Sequence, residues 1–418
     1  MNIRVRNLCA NIVLLFLYFA PIIDNFVGAT MRSTGEDSNL GKGYRLLFLI
    51  FIILYYFTHA TMSKICEFII VACVVITLPV IYALLHGTMS GIITDYIQLS
   101  KLFYPIMLFK VLENMTNHQV MDTERIYRCL EYYRWFYPLS LLIPYVLGLG
   151  YQSYKNYDAG YSGFYGAGNE LSIVLVAMFI IALYDAINNR KKIAFIPTFL
   201  NVICILLTGT KTGMIMLIVG TVVIMLHTKN MQSRFFRIIA LIVGCVPIAI
   251  GVLNLMHQQM DSTIRMIQFK YNQMNTDLIS FLLSNRNNKI LLNFDDSIFN
   301  NRNGFINFFI GRGYYDQAVS RKSSVYIASF GLIEMDLFDI LFQHGIIITA
   351  GVVLFYLRKL LITLPQSALW GTKFAAGIMM LFGVIAGHTF QSTLPATSMI
   401  LLLICSIYMN NANNPFKR

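Results

Sequence analysis

The residues best suited to chemistry stand in EMDLFDILFQHG, from Glu334 to Gly345. Three carboxylates, a glutamine and a histidine open what is otherwise an apolar stretch. In a helix, Asp336, Asp339 and Gln343 fall at i, i+3 and i+7, on one face about 60° wide. Acids at a helix start also cap amides and complement the helix dipole, which explains any one of them but not the group. The pattern therefore predicts a polar site that faces the protein interior.

Other stretches carry polar or charged side chains that suit the same chemistry. YSGFYGAGNELS ends in Asn169 and Glu170, LLTGTKTGM holds Lys211, and GHTFQST holds His388. Each has an ordinary alternative: a helix cap for Asn169, a lysine reaching the interface for Lys211, and a packed histidine for His388. The region after residue 256 adds further candidates. These are Arg265, Arg286, Lys289, Arg312 and Tyr314.

The composition decides where these residues must lie. Of the 418 residues, 57% are hydrophobic and only 12% are charged, which is too apolar for an ordinary soluble surface. Successive apolar runs are long enough to cross a bilayer as helices of roughly 20 residues. We predict an all-α, polytopic integral membrane helix bundle of about 12 transmembrane helices with one large outer (extracytoplasmic) loop. The predicted spans are 8–28, 44–60, 65–85, 91–112, 129–149, 169–187, 193–208, 213–228, 236–256, 333–357, 372–387 and 390–410.

Lysines and arginines in the short loops set the predicted orientation. Placing the N-terminus in the cytoplasm puts the basic clusters near 125–128 and 358–359 on the same side, and an even span count returns the C-terminus there. The chain then divides into spans one to nine (1–256), a large extracytoplasmic loop (257–332), and spans ten to twelve with a cytoplasmic C-terminus (333–418).

The large loop has its own pattern. It carries eight Lys and Arg against five Asp, a surplus of three positive charges, and a loop this long usually has a function. Apolar residues recur at helical spacing from His257 to about Leu283, which predicts an amphipathic helix on the membrane surface. Those apolar residues are Ile264, Ile267, Tyr271 and Met274.

Several classes of function are disfavoured. The seven cysteines are scattered singly, with no CxxC or His-rich spacing, so neither a metal site nor a disulfide framework is indicated. No GxxxxGK[ST], GxGxxG after a strand, or HExxH occurs, so no cofactor, nucleotide or zinc chemistry is expected. The net charge of +12 is assigned to topology and contact with anionic lipid headgroups, and no nucleic-acid partner is expected.

Taken in order, these elements resemble the O-antigen ligase and Wzy-type polysaccharide polymerase family. The matching elements cover about residues 160–350: GAGNEL, TGTKTG, the SNR of Ser284 to Arg286, GRG, and EMDLFDILFQHG followed by IIIT. In the ligase branch a His precedes a Gly by eleven residues, and here Glu334 stands eleven residues before Gly345. The EMD version is similar to what polymerases of repeat-unit polysaccharides carry. Lys211 stands where the family usually has Arg.

The resemblance implies a metal-independent, inverting glycosyltransferase. Its donor would be a polyprenyl-diphosphate-linked oligosaccharide, moved onto the non-reducing-end hydroxyl of another lipid-linked repeat unit, as in O-antigen or capsule synthesis. The implied location is the bacterial cytoplasmic (inner) membrane, with both termini in the cytoplasm and the active site on the outer face. Expected partners are the lipid-linked oligosaccharide, membrane lipid and a chain-length regulator protein.

Elementary chemistry assigns roles to the candidates. A departing diphosphate carries negative charge, which without a metal requires cationic side chains, with Arg286 as first choice and Lys211 next. The attacking sugar hydroxyl needs a base, for which Glu334 and Asp336 are both candidates. The other candidates for binding the diphosphate or the glycan are Arg265, Lys289, Arg312, Asn169, Glu170, Asp339, Tyr314 and His388.

Two other functions fit a bundle of this size. A ligase would transfer the glycan to lipid A core or another acceptor, and Glu334 in place of His disfavours it. A lipid-linked oligosaccharide flippase or other secondary transporter typically shows two related halves and broken spans near the midplane. A structural or receptor-like protein would leave the convergence of acids and cations unexplained.

Overall fold

The protein is almost entirely helical in the residues that the computed structural model describes. These are residues 3–35, 39–59, 61–154, 159–188, 192–227, 257–273, 280, 283–299, 301–318, 332–362 and 370–409. The first eight helices are α1 (Ile3–Thr34), α2 (Asn39–His59), α3 (Met62–His86), α4 (Ile92–Asn117), α5 (Thr123–Val146), α6 (Gly168–Asn188), α7 (Phe195–Thr208) and α8 (Lys211–His227). They are followed by α9 (His257–Gln273), α10 (Arg286–Phe294), α11 (Gly304–Ile310), α12 (Tyr314–Ala318), α13 (Asp336–Ile362), α14 (Trp370–Ile385) and α15 (Thr393–Tyr408).

Eleven of the helices in the described residues, α1 to α8 and α13 to α15, coincide with predicted spans. Five of them, α1, α2, α3, α6 and α13, are long and apolar enough to cross a membrane, and α7, α8, α14 and α15 are shorter apolar helices. Each predicted span within the described residues contains a helix, and the ninth, 236–256, lies outside them. The predicted all-α membrane bundle is confirmed, and the count of about 12 spans stays a prediction.

The predicted amphipathic helix at the start of the large loop is present in the described residues as α9 (His257–Gln273). The part of the predicted helix at 274–279 lies outside the described residues. Met266 is its buried apolar residue, whereas Ile264, on the predicted apolar face, is 47% exposed. Its position on a membrane surface stays a prediction.

The centre of the bundle is α6. Its apolar window is 89% buried, whereas that of α3 is 17% buried. Helices α7, α8 and α14 pack against α6, and α15 packs against α4, α5 and α14. Small residues allow the close approach of α8, where Thr210 donates a 2.6 Å hydrogen bond to Ser172 and Gly213 lies against the same serine. Helix α6 thus fixes the position of Glu170 at its first turn.

The polar connections meet at one end of the bundle, which we call the loop end. The Arg32 guanidinium at the end of α1 donates to the Gly166 carbonyl at 2.8 Å. The Tyr161 amide donates to the Leu207 carbonyl at the end of α7, at 2.7 Å. These bonds hold the 159–168 segment over the helix ends, so that the candidate residues collect on one side.

Helix α13 is broken at Gly345, where φ is 73° and ψ is 173°. The break releases the carbonyls of Phe342 and Gln343, which accept the amides of Arg312 at 3.1 Å and Gly313 at 2.9 Å. Glycine is required because a Cβ at residue 345 would lie 2.2 Å from the Phe309 carbonyl oxygen. The backbone of the GRG segment therefore hydrogen-bonds to the backbone of α13 at its break.

We expect Gly345→Ala to lower the free energy of unfolding by about 3–5 kcal/mol, because an almost glycine-only conformation and a backbone overlap add up. Thermal unfolding in detergent checks this. The matched control is Gly351→Ala in the same helix, where an added Cβ meets nothing within 4 Å. Equal unfolding temperatures for the two variants would contradict the expectation.

Candidate functional site

The core of the candidate site is an ion pair between the large loop and the start of α13. Arg286 Nη2 lies 2.8 Å from Glu334 Oε2. Arg286 is buried, with 5% of its surface exposed, whereas the Glu334 side chain is 51% exposed. The Nε of Arg286 has no hydrogen-bond partner among the described residues. Two of the predicted catalytic residues, distant in sequence, are thus brought together.

The sharp turns before each partner set this geometry. Ser284 and Asn285 have φ of 53° and 63°, so the chain reverses just before Arg286 begins α10. Glu334 has φ of 65°, a conformation uncommon for a residue with a side chain and often found at functional sites.

Charge keeps Glu334 ionised. Burial of this carboxyl by itself would raise its pKa, but the Arg286 guanidinium, with Lys289 and His388 nearby, holds the pKa below its usual range. The carboxylate is therefore available at neutral pH as a proton acceptor, and the guanidinium reduces its basicity.

Asp339 holds the strained turn. Its fully buried carboxylate accepts the backbone amides of Ile333 and Glu334, each at 2.9 Å, and of Met335 at 3.2 Å. These three amides would otherwise be unsatisfied at the start of α13. Asp339, predicted to bind substrate, has a positioning role for Glu334 in this structure.

Asp336 connects α13 to the turn before α15. Its buried Oδ2 accepts the amides of Thr389 and, at 2.6 Å, of Phe390. Its Oδ1 lies 3.4 Å from His388 Nδ1. Both oxygens of Asp336 are thus engaged by groups of the protein, one of which is the His388 side chain.

The contact between Asp336 and His388 makes the free energy of unfolding depend on pH. Burial alone would lower the pKa of His388, but Asp336, with Asp339 and Glu170 farther away, raises that pKa to about 9. In the unfolded chain the pKa of a histidine is about 6.5. The stabilisation that protonated His388 gives the folded protein is therefore fully present below pH 6.5, and it is lost as the pH rises through the folded pKa. We expect the advantage of wild type over His388→Gln in unfolding free energy to shrink by up to about 3 kcal/mol between pH 6.5 and pH 9.5.

Unfolding in detergent across that pH range measures this difference. The matched control is His118→Gln, at an exposed histidine beyond the end of α4. Parallel stability profiles for wild type and His388→Gln would contradict the expectation.

The other basic residues of the large loop differ in their surroundings. Lys289 Nζ donates to the Leu332 carbonyl at 3.1 Å, close to the Arg286 and Glu334 pair. Arg312 is buried, and its Nε donates to Asp316 at 2.7 Å. Lys289 therefore belongs to the candidate site, whereas Arg312 fixes the GRG segment.

A cavity of about 280 Å³ lies at the loop end, next to these residues. Three of the predicted site residues, Glu170, Tyr314 and His388, line it. Leu332, whose carbonyl accepts Lys289, lines it as well. Arg286, Glu334 and Lys289 do not line the cavity themselves, and Lys289 connects the ion pair to the cavity wall through the Leu332 carbonyl.

The sequence analysis did not select three charged residues that line this cavity. They are Asp24 in α1, Arg45 in α2 and Lys101 in α4. Arg45 Nη2 donates to Asp24 Oδ1 at 2.7 Å. The sequence did contain a signal for these residues, because ionisable residues inside apolar spans are by default functional candidates.

Three predicted residues lie elsewhere. Lys211 begins α8 and is half-buried beside the contact between Thr210 and Ser172. Arg265 is exposed on α9. Asn169, half-buried in the first turn of α6, is not among the residues that line the cavity, and neither are the other two.

The arrangement combines a buried guanidinium, an ionised carboxylate and a neighbouring lysine that donates to Leu332 in the cavity wall. Cations of this kind suit an anionic leaving group, and the carboxylate suits a proton from an attacking hydroxyl. In the part of the chain that the structure describes, no group of three or more His, Cys, Asp or Glu could hold a metal ion.

The fold and site define a multi-pass helical membrane protein with a cation and carboxylate site at one end of its bundle. A family model described as "O-antigen ligase like membrane protein" matches residues 6–238, more than half of the chain. The chain therefore belongs to this family, and it is a membrane enzyme of the glycosyltransferase type in O-antigen or polysaccharide processing. A comparison with curated proteins found no match.

The matched range includes Glu170 and Lys211 and ends before Arg286 and Glu334. The match supports the broader O-antigen ligase and polymerase family named from the motifs, on residues that are mostly distinct from those motifs, and it does not distinguish the polymerase branch. The assignment therefore does not depend on the ion pair.

Proposed function

We propose that this protein is a polysaccharide polymerase. It transfers a glycan from a polyprenyl diphosphate to the non-reducing-end hydroxyl of a second lipid-linked repeat unit, with inversion and without a metal ion. The observation that carries the proposal is the 2.8 Å pair of Arg286 and Glu334. Its carboxylate stands eleven residues before Gly345, where the ligase branch is expected to have a histidine.

In the proposed reaction, the acceptor hydroxyl oxygen attacks the anomeric carbon as the bond from that carbon to the diphosphate oxygen breaks. The polyprenyl diphosphate leaves with the electron pair, stabilised by Arg286 and Lys289. The hydroxyl proton passes to the Glu334 carboxylate. Asp336, the other candidate base, is assigned the positioning of His388, because both its oxygens are engaged.

The proposed location is the bacterial cytoplasmic membrane, with both termini in the cytoplasm and the loop end on the outer face. There the polyprenyl chains of both substrates remain in the bilayer while their glycans meet in the cavity. A chain-length regulator protein is the proposed partner.

The test uses purified protein in proteoliposomes, a lipid-diphosphate-linked repeat unit from its own host, and excess chelator. A ladder of lengthened glycans on a gel is expected in wild type and is lost in Glu334→Gln. The matched control is Arg302→Ala, at an exposed arginine of the same loop. Chain growth that continues in folded Glu334→Gln would remove Glu334 as the base, and the absence of any ladder in wild type would refute the polymerase.

A ligase-type transferase is the second candidate, since the matching family is described by that activity. The two functions differ in the acceptor. Supplying lipid A core together with the lipid-linked unit distinguishes them, because a ligase labels the core once and a polymerase lengthens the lipid-linked glycan.

A further inference from the structure

A second, apolar cavity of about 340 Å³ lies between α2 and α4. Its walls include Leu46, Leu49, Ile97 and Tyr104. Leu46 is 58% exposed, so this cavity is a groove that opens at the side of the bundle, where a membrane protein meets lipid. An apolar groove with such an opening suits a hydrocarbon chain.

The groove joins the polar cavity at the loop end. Arg45, Lys101 and Thr393 line both spaces, so two cations stand at the junction. Lys42 lines the groove near the same point. A molecule that enters from the side thus meets first the apolar wall of the groove, then the cations at the junction, and then the polar cavity.

Acidic side chains face the junction between groove and cavity from the side of the polar cavity. Asp24 pairs with Arg45 at 2.7 Å, and both Asp24 and Glu170 line the polar cavity. Among the residues that the structure describes, the groove lining has three cations, Lys42, Arg45 and Lys101, and no carboxylate. The charge at the junction therefore complements an anion that arrives on the groove side.

We propose that this groove binds a second polyprenyl diphosphate, that of the acceptor. The first isoprene units would lie against Leu46 and Leu49, and the diphosphate would lie at Arg45 and Lys101. The acceptor glycan would extend into the polar cavity, toward Glu334. The assignment rests on the proposed polymerase function, which requires two lipid-linked molecules at once. The Arg286 and Lys289 cluster serves the donor, and the groove adds a site for the other substrate.

Native mass spectrometry of the full chain in detergent, with geranylgeranyl diphosphate as the probe, tests the proposal. We expect two bound molecules on wild type and one on Lys101→Gln, with the second affinity weakened by about tenfold or more. Leu46→Trp is expected to lose the same molecule by filling the groove. Leu47→Trp is the matched control, because Leu47 is similarly exposed at 63% but does not line the groove.

Arg45→Gln is a less suitable first variant, because it leaves the Asp24 carboxylate without its partner. Retention of two probe molecules by both Lys101→Gln and Leu46→Trp would overturn the proposal. So would a single bound molecule on wild type, or displacement of the groove molecule by an equal concentration of phosphatidylglycerol.

The two proposals fail separately. If wild type binds two probe molecules but grows no chain, the polymerase assignment falls and the groove site stands. If chains grow while only one molecule binds, the groove site falls and the polymerase assignment stands.

Discussion

Arg286→Ala is expected to reduce chain growth by about a thousandfold while the protein remains folded. The guanidinium is buried beside Glu334, and its Nε has no partner among the described residues. Removing one such group from charge that develops in a transition state costs about 10²–10³ in rate. Initial rates of chain growth in proteoliposomes measure the loss.

The conservative variant separates charge from geometry. Arg286→Lys keeps the charge but loses the planar fork, so we expect a rate between those of wild type and Arg286→Ala. In the double variant with Glu334→Gln, the two losses should not add, because the residues act as a unit. A rate within about tenfold of wild type for folded Arg286→Ala would contradict the assignment.

Asp339→Ala is expected to lower the free energy of unfolding by about 3–5 kcal/mol and to abolish chain growth with it. Three backbone amides lose a buried, charged acceptor, and each such bond is worth about 1.5–3 kcal/mol before relaxation. The turn that presents Glu334 then loses its support. Thermal unfolding in detergent and the chain-growth assay together report both losses.

Two comparisons make this prediction specific. Asp122→Ala removes an ordinary cap, the carboxylate that accepts the Glu124 amide at 3.2 Å, and should cost only about 1 kcal/mol. Glu334→Gln should lose chain growth with a smaller loss of stability than Asp339→Ala, because the Glu334 side chain is half-exposed. If Asp339→Ala unfolds at the same temperature as Asp122→Ala, the positioning role is wrong.

The sequence predicted the spans because hydropathy is a local property that needs no tertiary contact. It also predicted the burial of Asp336, Asp339 and Gln343, since one helical face cannot turn three polar groups to lipid. It could not separate their roles. One acid caps a turn and another binds a distant loop, and this difference depends on tertiary contacts such as the hydrogen bond from the Phe390 amide to Asp336. The spacing of residues in the sequence does not encode such contacts.

Arg312 shows the same limit from the basic side. The sequence analysis placed Arg312 among the candidates for binding the diphosphate or the glycan, and the structure buries it against Asp316. The groove residues were missed for another reason. Arg45 lies at the start of the predicted span 44–60, where hydropathy treats a cation as a boundary. Lys101 lies in the middle of the predicted span 91–112, and hydropathy averages a single cation there with its apolar neighbours.

The break at Gly345 has a consequence for how the chain is assembled during synthesis. Two carbonyls that a continuous helix would satisfy internally depend on amides from Arg312 and Gly313, and an unsatisfied carbonyl in hydrocarbon costs several kcal/mol. Those amides precede Gly345 in the chain, so the ribosome delivers them before the helix that needs them. We expect a circular permutation that places this segment after α13 to insert less efficiently, because α13 would then enter the bilayer with two unsatisfied carbonyls.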